Sequence, residues 1–206
     1  MISRRPLLLS ALGAAALLAG CDKLGLDKLG FGQKASFQGV DLTGAAYARG
    51  FNLPDQNGRS RSLEEFKGKV VVVFFGFTQC PDVCPTTLAE LAQVKKALGA
   101  DGDKVQGVFI TVDPERDKPE LLKPYLSSFD PSFIGLRGTP EQLKDVAKEF
   151  KIYYAKVPGQ SPDSYTMDHT AASFLFDPQG RIRVFSRYGA GATAMLADIK
   201  TLLSGA

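Results

Sequence analysis

Tryptophan is absent from this chain of 206 residues, and histidine occurs once, at position 169. A single imidazole excludes any multi-histidine metal site, so whatever imidazole chemistry the protein performs rests on His169. Charge of neither sign accumulates: 25 Lys and Arg stand against 22 Asp and Glu, a formal net charge of +3 spread along the sequence. No basic block points to nucleic acid, and no acidic block to a solvating tail. Cysteine is scarce as well, with three residues. With 44% hydrophobic and 23% charged residues, what remains has the composition of a globular protein, long enough for one domain with a sizeable core.

Arg4 and Arg5 precede an apolar stretch over residues 7–19, broken only by Ser10 and Gly13. A charged start followed by an apolar run of secretory length, too short to span a bilayer comfortably, reads as a signal peptide. It ends in Leu18-Ala19-Gly20-Cys21, which resembles the lipobox of bacterial lipoproteins. That resemblance implies cleavage before Cys21 and a diacylglycerol thioether on its sulfur. The export route, general secretory or twin-arginine, is not fixed by these residues. Removing residues 1–20 takes out two arginines and no acids, leaving a nearly neutral protein whose membrane attachment comes from lipid rather than from charge. Cys80 and Cys84 are then the remaining pair, in an oxidising compartment where they can form a disulfide.

The expected organisation is a signal peptide over 1–20, the lipidated Cys21 with a flexible tether over 21–50, and one domain over 51–206. The tether reading comes from the repeat Asp22-Lys23-Leu24-Gly25 and Asp27-Lys28-Leu29-Gly30, with further glycines at 32, 39 and 44. Some 30 such residues reach roughly 30 Å. The domain opens with a hairpin, residues 51–53 and 60–63 flanking the turn Asp55-Gln56-Asn57-Gly58. Residues 70–77 are an unbroken apolar, β-branched and aromatic run, which suits a strand buried on both faces. Residues 86–98 carry Leu88, Leu91, Val94 and Leu98 at helical spacing, and 105–112 read as a second buried strand. Asp117 is placed to cap a helix with Glu120 three residues on, and Thr139 to cap a helix over 140–150. Strands at 173–176 and 182–188 flank the turn Asp177-Pro178-Gln179-Gly180, and a helix over 193–203 closes the chain. Strand and helix alternate, then a hairpin and a helix follow. That order predicts an α/β fold, a thioredoxin-like sandwich with a central mixed sheet flanked by helices.

Thr78-Gln79-Cys80-Pro81-Asp82-Val83-Cys84-Pro85 lies between the first buried strand and its helix. The carboxyl end of a central strand is where ligands and chemistry collect in such sheets. Cysteines at i and i+4 across one turn present both sulfurs on one side, and a helix N-terminus favours thiolate over thiol. A purely structural staple closing so short a loop would stabilise by only about 2 kcal/mol; the position after a central strand favours a functional pair. His169 stands in the polar stretch Tyr165-Thr166-Met167-Asp168-His169-Thr170, expected as a turn just before a strand. In a thioredoxin-like topology that turn faces the cysteine loop. Two thiolates and one imidazole make a soft, low-coordinate site that suits copper(I), and the imidazole also admits copper(II). Structural zinc takes four protein ligands, which Met167 or a carboxylate would have to complete, and is disfavoured. Asp113, at the end of the second strand, is an auxiliary candidate, as is Asp117, whose expected task is capping.

Four pieces, Phe74-Phe75-Gly76-Phe77-Thr78, Cys80-Pro81-Asp82-Val83-Cys84-Pro85-Thr86-Thr87-Leu88, Thr111-Val112-Asp113-Pro114-Glu115-Arg116-Asp117 and Asp168-His169-Thr170, closely resemble the Sco/SenC copper-chaperone family. The likeness runs from about residue 51 to 203. It implies a thioredoxin-like fold, copper held by Cys80, Cys84 and His169, and delivery to the dinuclear copper centre of cytochrome c oxidase subunit II. A periplasmic copper donor and thiol reductants are further expected partners, with the domain on the periplasmic side of the cytoplasmic membrane. Gln79 replaces the histidine that often precedes the first cysteine in the family, removing an auxiliary ligand but none of the three. The alternative function is a thiol–disulfide oxidoreductase that keeps partner cysteines reduced through Cys80 and Cys84. General oxidoreductases of this fold resemble one another in a Cys-x-x-Cys spacing and a cis-proline before the facing strand; here the spacing is one residue longer and Asp168-His169-Thr170 takes that place. A peroxidase of the same fold would lean on residues including a tryptophan, which is absent.

Overall fold

The uninterrupted apolar run becomes β4 (Val70–Gly76), every residue of it buried, at the centre of a six-stranded sheet in the order β1-β10-β9-β4-β5-β6. The computed structural model describes residues 36–161 and 164–205. The expectations for the signal peptide and Cys21 lie outside the described residues. Chain order is β1 (Val40–Asp41), the hairpin β2 (Asn52–Pro54) and β3 (Ser60–Ser62), β4, α1 (Val83–Ala97), β5 (Val105–Thr111), α2 (Pro119–Ser127), β6 (Ile134–Leu136), α3 (Pro140–Phe150), β7 (Tyr154–Pro158), β8 (Tyr165–His169), β9 (Ala172–Phe176), β10 (Ile182–Arg187) and α4 (Gly191–Leu203).

β4 pairs in parallel with β5, and β5 with β6, whereas β9 runs antiparallel to β4 and β10 to β9. The sheet is therefore mixed, with helices α1 and α4 packed against each other. The phenylalanines decide the core. Phe75 meets Phe150 of α3 at 5.2 Å, and Phe150 meets Phe174 of β9 at 5.2 Å, both edge to face. Edge-to-face pairs contribute about 1 kcal/mol each beyond burial. α3 starts as expected: Thr139 Oγ1 accepts from the Gln142 backbone N–H at 3.3 Å, and Gln142 Oε1 accepts from the Thr139 N–H at 2.9 Å, a closed capping box.

Four expectations need correction. The domain begins before residue 51: β1 pairs with β10, Ala48 is fully buried, and Asp198 of α4 accepts from the backbone N–H of Gln38 and Gly39. β6 and the two-stranded sheet of β7 and β8 are additional strands, so His169 ends a strand instead of occupying a turn. The first helix begins at Val83, three residues early, which takes Cys84 into its first turn. α2 is capped at Lys118 without a side-chain bond, not by Asp117. The outer rim of β6 is met by the β2–β3 hairpin at its turn, since Gly135 N–H donates to Gln56 Oε1 and Arg137 N–H to the Pro54 carbonyl.

Candidate metal centre

At the carboxyl end of β4 the chain turns through Thr78 and Gln79 into α1, leaving Cys80 in the loop and Cys84 in the first helical turn. The Cys84 N–H, one of the unpaired amino-terminal donors of the helix, points at Cys80 Sγ at 3.3 Å. Across the sheet edge, β8 ends at His169, whose Nε2 lies 3.7 Å from Cys84 Sγ. The ligand atoms of Cys80, Cys84 and His169 all lie within 4.8 Å of one another, and both cysteines are free thiols. Among the described residues these three form the one such group, and neither Asp113 nor Asp117 belongs to it.

The imidazole is set for ligation. Its Nδ1 is 3.1 Å from the Thr170 carbonyl, which can only accept, so the proton belongs on Nδ1 and the Nε2 lone pair faces the sulfurs. Burial holds His169 below the ordinary imidazole range, against the upward pull of Thr170 and Asp168, and keeps it neutral near pH 7. Its ring sits edge-on to Phe77 at 5.9 Å and to Phe74 at 6.2 Å.

Cys84 departs from the expectation that a helix N-terminus favours thiolate. It is fully buried, and burial pushes its thiol up, followed by the neighbouring Cys80; the Phe77 backbone N–H opposes this. Desolvation outweighs the helix end here, so a metal ion must displace the Cys84 proton. Cys80 and His169 are half-buried, and they form the accessible side of the site.

The two aspartates serve the frame. Asp117 is fully buried and accepts from Thr78 N–H at 3.1 Å, Thr78 Oγ1 at 2.6 Å and Thr111 Oγ1 at 2.6 Å. It ties the cysteine loop to the end of β5. Burial raises its pKa while the threonine bonds lower it. Asp113 accepts from Tyr165 Oη at 2.9 Å and from Arg116 Nε, and Arg116 Nη1 donates to the Tyr165 carbonyl at 2.8 Å. The Arg116 guanidinium also stacks 3.7 Å above the Tyr165 ring. This cluster fastens the start of β8, and thereby His169, to the loop after β5. Met167, the other soft donor considered, is buried in the core.

Sequence reading passed over Gly76. A Cβ there would come 2.8 Å from Phe109 Cε2, 2.8 Å from Phe74 Cε1 and 2.9 Å from Cys84 Sγ, so the missing side chain is the space that seats the sulfur. Thr78 stands in one of the motifs that carry the resemblance and Asp113, Arg116 and Asp117 in another, but the bonds among them do not show in the sequence.

The family model described as SCO1/SenC matches residues 40–204. The SCO2-like protein RC0895 of Rickettsia conorii is 43% identical over 132 residues, a match taking in 64% of this chain and 64% of that one. The protein sco1 of Schizosaccharomyces pombe is 37% identical over 194 residues, 91% of this chain and 72% of its own. Among solved structures, Bradyrhizobium japonicum ScoI with copper bound has 43% identity and a TM-score of 0.67, covering 82% of this chain and 100% of that one. Apo Sco1 of Thermus thermophilus has 38% identity and a TM-score of 0.73, covering 84% and 100%. With the cysteine pair and the histidine brought together in a thioredoxin-like sheet, this chain belongs to the SCO1/SenC family.

Proposed function

We propose that the protein is a copper-binding metallochaperone, held at the membrane by a lipid on Cys21, that delivers copper to the dinuclear site of cytochrome c oxidase subunit II. The observation that carries this reading is the convergence of two sulfurs and one Nε2 lone pair within 4.8 Å. Its donor set is soft, suited to copper(I), with an imidazole that extends it to copper(II). The related ScoI of Bradyrhizobium japonicum and yeast Sco1 carry copper in their solved structures. Among the described residues no helix is long and apolar enough to cross a membrane; the attachment in this reading rests on the lipobox-like Leu18-Ala19-Gly20-Cys21.

In this reading Cys80 and Cys84 lose their protons as they take up the cargo, and His169 contributes Nε2 while Thr170 fixes the tautomer. Cys84, buried at the base, holds the ion last; Cys80 and His169, on the open side, are the ligands an acceptor replaces first. The oxidoreductase alternative uses the same cysteines but leaves the oriented Nε2 without a task.

The test is anaerobic copper(I) titration of the reduced protein and of protein oxidised to the Cys80–Cys84 disulfide, with metal per chain measured after desalting. Reduced protein retains about one copper per chain and oxidised protein retains none, because a disulfide sulfur is no longer a thiolate. Equal retention by both forms sinks the site.

A further inference from the structure

His169 stands at the end of β8, and β8 pairs with β7 alone, apart from the six-stranded sheet. A two-stranded ribbon is marginal by itself in water, so its place over the cysteines depends on what it meets in the rest of the protein. Alternation along β8 turns Tyr165, Met167 and His169 to one face and Thr166 and Asp168 to the other. Met167 is buried, whereas Thr166 and Asp168 are exposed. The inner face thus carries the ligand at one end, an apolar plug in the middle and Tyr165 at the start.

The segment after β5 reaches both strands of the ribbon. On β7, Lys156 Nζ pairs with Glu115 at 2.6 Å, but these side chains are 48% and 61% exposed, and such surface pairs contribute little. On β8 the contacts are better sheltered. Arg116 Nε donates to Asp113, a buried carboxylate whose other oxygen accepts from Tyr165 Oη at 2.9 Å. Arg116 Nη1 donates to the Tyr165 carbonyl at 2.8 Å, and the guanidinium lies 3.7 Å from the centre of the Tyr165 ring. Burial of Met167 is non-directional and tolerates tilting. The planar guanidinium fork is directional and fixes Tyr165 in one pose. Four residues of strand, about 13 Å, carry that pose to His169.

We propose that Arg116 is a positioning residue for His169, and through it a determinant of how strongly copper(II) is held relative to copper(I). This rests on the copper reading above. The side-chain hydrogen bonds of Arg116 go to Asp113 and Tyr165, and its Nη2 is buried without a partner; none reaches a cysteine. Loosening the fork therefore lowers the fraction of molecules whose Nε2 faces the sulfurs and leaves the thiolate pair in place. An ion that needs the imidazole loses affinity in proportion to that fraction. Copper(I), satisfied by two thiolates, does not.

Arg116→Lys tests this, because it keeps a cation beside the buried Asp113 carboxylate and removes the planar fork that reaches Tyr165. The chain has one histidine, so full-length protein labelled with 13C-histidine gives imidazole NMR signals from His169 alone. In the parent the ring is edge-on to Phe77 and Phe74, and these neighbours displace its signals from the free-imidazole positions. In reduced, metal-free Arg116→Lys the signals are expected to move toward those positions. Copper(II) affinity, read by chelator competition, is expected to fall about tenfold while copper(I) affinity stays within about threefold. Imidazole signals left in place, copper(II) affinity kept, or copper(I) weakened as much as copper(II) each overturn the proposal, the last by showing a general loss of structure. A parent protein that holds no copper, with the signals still moved by the variant, removes the copper reading and leaves the positioning of His169 by Arg116 standing.

Discussion

Cys84 Sγ and His169 Nε2 stand 3.7 Å apart although 85 residues separate them in sequence. The first belongs to a helix leaving the central parallel strand, and the second to a hairpin outside the main sheet. The Cys84 sulfur therefore has the rigidity of the core behind it, while the imidazole depends on the bonds that fasten β8.

That division predicts unequal losses on mutation. Copper(I) is satisfied by two thiolates in near-linear coordination, whereas copper(II) prefers further nitrogen or oxygen donors. His169→Ala is expected to lose copper(II) far more than copper(I), and Cys80→Ser or Cys84→Ser to lose both. Loading each variant with either ion and following the thiolate-to-copper absorption checks this. Full copper(II) retention by His169→Ala would make His169 a bystander.

The raised Cys84 thiol gives a pH dependence. Its proton must leave when copper enters, so apparent copper(I) affinity should rise with pH by about tenfold per unit for each proton displaced. In the metal-free protein the folded-state value lies above the unfolded one of about 8.5. Its contribution to stability is therefore present below that value and is lost as pH rises. For His169, held below its ordinary value of about 6.5, the contribution is present above that pH and is lost as pH falls. Melting curves of reduced metal-free protein should show an alkaline limb that weakens in Cys84→Ala. An identical alkaline limb in parent and variant would refute the assignment.

Gly76→Ala tests the seat of the buried sulfur. The new methyl would meet Phe74, Phe109 and Cys84 within 3 Å, in a strand with no exposed residue to yield. Overpacking of this kind costs about 1–3 kcal/mol, and displacement of Cys84 should weaken copper(I) binding as well. Chemical denaturation and chelator competition measure the two effects; a variant with parental stability and affinity would show the space to be idle.

Cys21→Ser should release the protein from membranes into the soluble periplasmic fraction on cell fractionation. Persistence in the membrane fraction would mean that something other than a lipid on Cys21 holds it.

Elements that declare themselves locally were legible in the sequence. β4 is a continuous apolar run, α3 is announced by Thr139, and the cysteine loop follows a central strand, where ligands and chemistry collect. Elements fixed from a distance were not. Residues 154–158 are partly polar, end in proline and form a strand only because residues 165–169 pair with them. Asp117 has the spacing of a cap relative to Glu120, but its bonds go to Thr78, 39 residues away, and no local pattern carries that. Gly76 read as one member of an apolar run, since nothing in a sequence shows which side chain is missing to make room for a sulfur. The boundary at residue 50 failed for a related reason: glycine-rich texture suggested a tether, while Asp198 and β10 supply from afar the bonds that order residues 38–41.

Both rims of the main sheet are too short to be copied. On one side β1 offers two residues; on the other β6 offers three, and the N–H groups of Gly135 and of Arg137 just past the strand are already taken by Gln56 and Pro54. A foreign strand arriving at either margin finds almost no open ladder to extend, which is how native sheets escape runaway stacking. Chains crowded together on one surface would therefore find little on the main sheet to join by strand pairing.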